Sequence, residues 1–296
     1  MSRAENQEGR LEIADQARND VLIPGTPLVS VLVPFYNSER YLPGALVQLA
    51  ALDYPRLEFV FVDDGSTDSS ASLVSEWALG RPTARLIRHE TNRGIGAARN
   101  TLIGAARGEF VWFADADDKW RPYFVTELVS LCQQRDADVA IASFITTSDS
   151  GRLLRTKRYA GQVVCGAVIA PLIYREDVEG QLWNKLIRRS LFGDRPFPKL
   201  RLREDIVALV PALSRARRIV FSPTILYNYV RHGSSLVTRQ GYDRDSLTAP
   251  VKALAQTFPQ DWRNGYPTSY LTARFYLRSY LLQIVKQVLM RAISRW

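Results

Sequence analysis

Three apolar runs of strand length, each closed by polar or acidic residues, constrain this chain more than any other feature. Residues 29–33 (VSVLV) stop at Pro34, and Phe35, Tyr36, Asn37, Ser38 and Glu39 follow. Residues 57–62 (LEFVFV) end in Asp63, Asp64, Gly65, Ser66, Thr67 and Asp68. Residues 108–114 (GEFVWFA) run into Asp115, Ala116, Asp117 and Asp118. Continuous apolar runs of this length read as strands buried on both faces. Between them lie segments predicted as helices, at about 38–51, from the end of the second run to about 79, and at 97–106. A further short strand is predicted at 84–88. This alternation implies an α/β domain whose mostly parallel sheet is covered on both sides.

A parallel sheet presents its chemistry at the carboxyl ends of its strands, which is where these acids stand. Residues i and i+2 of an extended chain point the same way, so Asp115 and Asp117 can converge on one hard cation. The alternative is an acidic turn, with Asp118 capping a helix that Pro122 opens. Asp64 can accept a hydrogen bond from an imide or ribose donor, and Tyr36 can pack on a flat base. Together these strand ends describe a nucleotide pocket whose diphosphate is held by metal. Neither a dinucleotide-binding fingerprint nor a P-loop occurs, which argues against hydride transfer and ATP hydrolysis.

With 296 residues, 46% hydrophobic and 23% charged, the chain has material for one large domain plus an extension. No run approaches the ~20 apolar residues of a membrane span, and the polar N-terminus has no apolar signal-peptide region. Its two cysteines, Cys132 and Cys165, lie in apolar surroundings without metal-ligand spacing, so a reduced cytoplasmic compartment is expected. A net charge of +9 is compatible with nucleic acid, an anionic membrane or a phosphorylated substrate. No nucleic-acid-binding module stands out, and no nucleic-acid partner is expected. The cations concentrate after residue 150, which favours a membrane-facing or substrate-facing second half.

Residues 1–27 read as a tail, and a strand is expected at 138–142. Two local signals stand out beyond residue 151: Trp183-Asn184-Lys185-Leu186 and Arg203-Glu204-Asp205-Ile206. Residues 270–296 read as a helix, with Leu277, Leu281, Ile284, Val285, Val288 and Ala292 at helical spacing among cations. Such stripes usually pack on their own domain; contact with a membrane surface is the alternative.

In order and combination, VSVLVPFYNSE (29–39), FVFVDDGSTD (59–68), NRGIGAARN (92–100), GEFVWFADADD (108–118), WNKL (183–186) and Glu204-Asp205 make the chain resemble the family 2 inverting glycosyltransferases, whose fold is called GT-A. The resemblance covers roughly residues 28–235. It implies a nucleotide-binding half at 28–120, an acceptor half at 121–235 and a helical extension at 236–296. It places Pro34 and Tyr36 on the nucleobase, Asp64 on a uracil ring, and Asn92 and Arg93 in a loop over the nucleotide. Glu39 belongs to the same nucleotide-sugar set. Asp117, with Asp115 beside it, is implied as the site of Mn²⁺ or Mg²⁺ on the diphosphate.

By the same resemblance Asp205 is the catalytic base, Trp183, Asn184, Lys185 and Glu204 lie toward the acceptor, and Arg231 and His232 reach the diphosphate. Other readings of these residues are a core Trp183, a solvated helical Lys185, an acid pair favoured at a helix N-terminus for Glu204-Asp205, and a surface His232. The implied reaction moves a sugar from a nucleotide-diphosphate donor, a UDP-sugar above all, to a glycan or lipid-linked glycan. It would run in the cytoplasm or at the inner face of the membrane, with peripheral contact to anionic lipid. Competing readings are a sugar nucleotidyltransferase, which would need a glycine-rich phosphate loop where Pro34-Phe35-Tyr36-Asn37 stands, and a silent nucleotide-binding scaffold.

Overall fold

The computed structural model describes residues 25–232 and 244–257. In chain order the strands are β1 (Val29–Phe35), β2 (Leu57–Asp63), β3 (Ala84–Arg88), β4 (Phe110–Phe113), β5 (Lys119–Trp120), β6 (Val139–Ser148), β7 (Leu153–Lys157), β8 (Val163–Val164), β9 (Lys185–Arg188) and β10 (Ile219–Arg231). The α-helices are α1 (Leu42–Ala50), α2 (Ser70–Ala78), α3 (Ile95–Ala105), α4 (Phe124–Arg135), α5 (Ile169–Tyr174), α6 (Glu204–Ser214) and α7 (Arg244–Thr257). The strands form one sheet in the order β3-β2-β1-β4-β9-β6-β10-β5, with β7 beside β6 and β8 beside β10.

The long ladders are parallel: β1 with β2, β2 with β3, β1 with β4, and β6 with β10. The chain winds outward from β1 through β2 to β3, then returns to place β4 on the other side of β1. The crevice beyond the carboxyl ends of β1 and β4 is therefore a topological switch point, where α/β sheets bind ligands.

Alternating side chains send one core to each face. Val31, Phe59, Phe61, Phe110 and Trp112 pack with Leu42, Leu46, Leu49, Phe124 and Leu128 of α1 and α4. Leu32, Val60, Val62, Val111 and Phe113 pack with Leu102, Ile103, Ile169, Leu209 and Leu213 of α3, α5 and α6. The result is three layers, the expected α/β class. Continuous apolar strands arise here because both faces of the sheet are covered.

Three local readings are corrected. The first helix begins at Leu42 rather than near residue 38, because the backbone before it is bound elsewhere. Asn37 sits at φ +46°, and the amides of Asn37, Ser38 and Glu39 donate to Ser66, Ser70 and Asp68. Asp118 does not cap the helix near Pro122; Tyr123 occupies that position, and Asp118 is buried among other partners. Cys132 is buried as expected, whereas Cys165 is exposed. The helix read at 270–296 lies outside the described residues.

Candidate active site

The loops after β1 and β2 are held as one unit. Asn37 Oδ1 accepts from the Thr67 amide at 2.9 Å, and Glu39 Oε2 accepts from the Ser69 amide at 3.0 Å, beside the start of α2. Pro34 is buried at the end of β1, and Tyr36, 46% exposed, projects just beyond it. Asp64 is buried and gathers the 92–94 loop. Its carboxylate accepts from the Arg93 amide at 3.0 Å and the Gly94 amide at 2.7 Å, and bonds His89 Nδ1 at 2.6 Å. His89 Nε2 continues the chain to Thr101 Oγ1 on α3 at 2.9 Å. Gly65, at φ +80°, makes this approach feasible, since a Cβ there would lie 2.7 Å from the Asn92 nitrogen. The Asn92 and Arg93 side chains remain at an exposed rim.

After β4 the three acids take different roles. Asp115 is half-buried, and burial with Asp117 and Asp205 nearby raises its carboxyl to about 6 against the pull of Arg99. Asp117 is more open, and its carboxyl is also pushed up by burial, opposed by His232. Asp118 is closed off, accepting from Tyr227 Oη at 2.8 Å and from the Val230 amide at 2.7 Å. It therefore ties the acidic loop to β10 and leaves Asp115 and Asp117 facing the crevice. His232 reaches the same loop from the end of β10: its Nε2 is 3.2 Å from the Asp117 carbonyl and 3.7 Å from Oδ2, while Nδ1 bonds Asp149. Arg231 beside it is exposed.

Glu204 and Asp205 open α6 on the other side of the crevice. Arg99, buried on α3, donates to Glu204 and lies 3.8 Å from Asp115. It thus joins the acid beyond β4 to the first turn of α6. Burial lifts Glu204 to about 7 even against this pairing. Burial also raises the Asp205 carboxyl above the usual range, opposed by Arg99, the Ile206 amide and Lys185. Gly96 lets this face of α3 meet the 197–198 segment, because a Cβ would stand 2.5 Å from the Pro198 carbonyl oxygen. Arg99 was not singled out from sequence. The available signal was a lone cation in a run of small residues, on the helix face that carries Ala98 and Leu102.

Trp183, Asn184 and Lys185 are all buried. Trp183 stacks on Tyr227 and Tyr229, with centroids 4.8 and 5.4 Å away. Asn184 Nδ2 donates to the Ala142 carbonyl at 2.8 Å. Lys185 is not on a solvated helix but opens β9, and its Nζ donates to the Gln181 carbonyl at 2.6 Å and Asn184 Oδ1 at 2.7 Å. Burial lowers its ammonium to about 7, with Glu179 and Asp205 acting the other way. The segment is therefore packed into the sheet that carries it.

The family model for glycosyl transferase family 2 matches residues 30–197, more than half of the chain, including the ends of β1, β2 and β4. The chain belongs to this family. ExoO of Rhizobium meliloti, a succinoglycan biosynthesis protein, is 30% identical over 254 residues, covering 82% of this chain and 72% of that one. EpsH of Bacillus subtilis is 33% identical over 223 residues, 72% of this chain, and the chain spans only 64% of that relative's length. Among solved structures, S. aureus TarS 1–349 in complex with UDP-GlcNAc superposes with a TM-score of 0.68 at 24% identity, over 86% of this chain and 72% of that TarS fragment. That likeness establishes the shared GT-A fold. No helix among the described residues is long and apolar enough to cross a membrane.

Proposed function

We propose that the chain is an inverting glycosyltransferase that moves a sugar from a UDP-sugar to an acceptor hydroxyl in the synthesis of a surface polysaccharide or related glycoconjugate. The observation that carries this reading is the Arg99 bridge, which sets the Glu204-Asp205 turn across one crevice from Asp115. Tyr36 supplies a flat face for the base and Asp64 an acceptor for its imide, with Asn92 and Arg93 at the rim. TarS, which shares the fold, holds a UDP-sugar, and ExoO works in polysaccharide synthesis.

Asp205 accepts the proton of the acceptor hydroxyl while its oxygen attacks the anomeric carbon from the face opposite the diphosphate. The bond from that carbon to the diphosphate breaks, and its electron pair leaves with the nucleotide. Proton transfer within the transition state suits a carboxylate, because the hydroxyl need not ionise beforehand.

Among the described residues no cluster of three or more acids, histidines or cysteines forms a ready-made metal cage. Two carboxylates, Asp115 and Asp117, fit an ion that completes its shell with water and substrate phosphate, as Mg²⁺ and Mn²⁺ do. When bound, such a cation neutralises charge that develops on the leaving diphosphate.

The test is calorimetric titration with UDP, GDP and TDP, each with and without Mn²⁺. UDP binding strengthened by Mn²⁺ and losing that dependence in Asp117→Ala is the expected result. Preference for another nucleotide would change the donor, and binding of none would overturn the reading.

A further inference from the structure

We infer that the β6–β7 hairpin is a docking surface for an anionic lipid bilayer. β7 pairs with β6 from Phe144↔Lys157 to Thr147↔Leu153, and among the described residues no strand pairs with its outer edge. Leu153 and Leu154 are 58% and 38% exposed, and they lie where the β6–β7 ladder shifts register, with Leu154 the extra residue between Leu153 and Arg155. Arg152, Arg155, Lys157 and Arg158 surround them. Arg155 pairs with Glu179 at 2.8 Å, and Lys157 Nζ donates to the Glu176 carbonyl at 3.2 Å. Among the described residues no carboxylate pairs with Arg152 or Arg158. The acid of the hairpin turn, Asp149, is turned back onto His232.

The combination selects the partner. A soluble anionic glycan or a nucleic acid would engage the cations and leave both leucines in water. A second copy paired along the β7 edge would set these cations against their own kind. An anionic bilayer uses both features, phosphate charge for the guanidinium groups and the acyl boundary for the leucines. Asp149 joins the hairpin to His232, whose Nε2 faces Asp117 at 3.7 Å. A bilayer seated on the hairpin therefore lies beside the crevice, within reach of an acceptor carried by lipid. The surface itself does not depend on the transferase reading.

The experiment is co-sedimentation of the full chain with vesicles of phosphatidylcholine alone, and with vesicles also containing phosphatidylglycerol, at near-physiological salt. Binding is expected only to the anionic vesicles. Leu153→Ser/Leu154→Ser and Arg152→Glu/Arg158→Glu should each lower partitioning about tenfold or more. Unchanged UDP titration and thermal unfolding would show that both variants are folded. Failure of the wild type to bind anionic vesicles overturns the proposal. So does wild-type partitioning by both variants, which would put the contact elsewhere in the chain. A shift in light-scattering mass without a change in vesicle binding would assign the edge to a second copy instead and also overturns it.

Discussion

The two walls of the crevice are built by different means. The wall formed by β1, β2 and their loops consists of consecutive residues whose backbone amides are fastened by short side chains: Ser66, Ser70, Asp68, Asp64 and Glu39. The wall formed by α6, β9 and β10 rests on buried charges that meet across long sequence separations. Arg99 reaches Glu204, Asp118 reaches Val230, and Lys185 shares its buried region with Asp205. The first wall can adjust at its exposed rim. The second cannot lose one partner without leaving a charge or a polar group unmatched in a dry interior.

The sharpest way to separate the walls is Asp205→Asn. Turnover should fall about 10²–10⁴-fold while UDP affinity stays within about twofold, since base catalysis supplies that range and the residue does not hold the nucleotide. Initial rates with the accepted donor, alongside calorimetry, check both halves of the statement. Equal turnover would remove Asp205 from the base role.

Arg99→Met tests the link between the walls. It leaves Glu204 buried and unpaired, and should lower unfolding stability by about 3–5 kcal/mol in urea titration. A loss below about 1 kcal/mol would show that Glu204 simply takes up a proton or moves to water.

A smaller effect is expected on the first wall. Asp64→Ala strands the Arg93 and Gly94 amides and His89, so a loss of about 1–3 kcal/mol should accompany faster amide exchange in the 92–94 loop. Unaltered exchange would contradict the role of Asp64 as the loop's anchor.

A further test is pH. Lys185 has a folded pKa of about 7, against 10.5 for the free side chain. Below pH 7 both folded and unfolded states carry the proton, and the full cost of burying the cation is present. Between about 7 and 10.5 the unfolded chain binds more protons, so this residue makes stability rise with pH, approaching about 1.4 kcal/mol per pH unit. Denaturant midpoints across that window should show the rise in wild type and a flatter profile in Lys185→Met. Identical profiles would mean that Lys185 is not titrating in the fold.

How much could be read in advance follows the same division. β1, β2 and β4 were legible because parallel strands covered on both faces must be apolar throughout, and the acids at their ends stand next to them in the chain. The start of α1 was misjudged because residues 37–39 are bound by a loop some thirty positions away, which no local pattern reports. β9 gave no strand signal of its own. It has four residues and carries a lysine whose burial depends on Gln181, Asn184 and the elements packed around them.

By itself the sequence determined the class of fold, the edge of the sheet where polar residues would gather, and the family motifs that place Asp64, Asp115, Asp117 and Asp205 in one set. Tertiary structure alone decided how those acids divide their work. Asp118 became a buried tie to β10 and Asp64 an anchor for its loop, while Asp115 and Asp117 stayed open to the crevice. The bridge through Arg99 also belongs to tertiary structure. A carboxylate's role depends on which donors reach it and how much water remains, and both are set by residues far away in the chain.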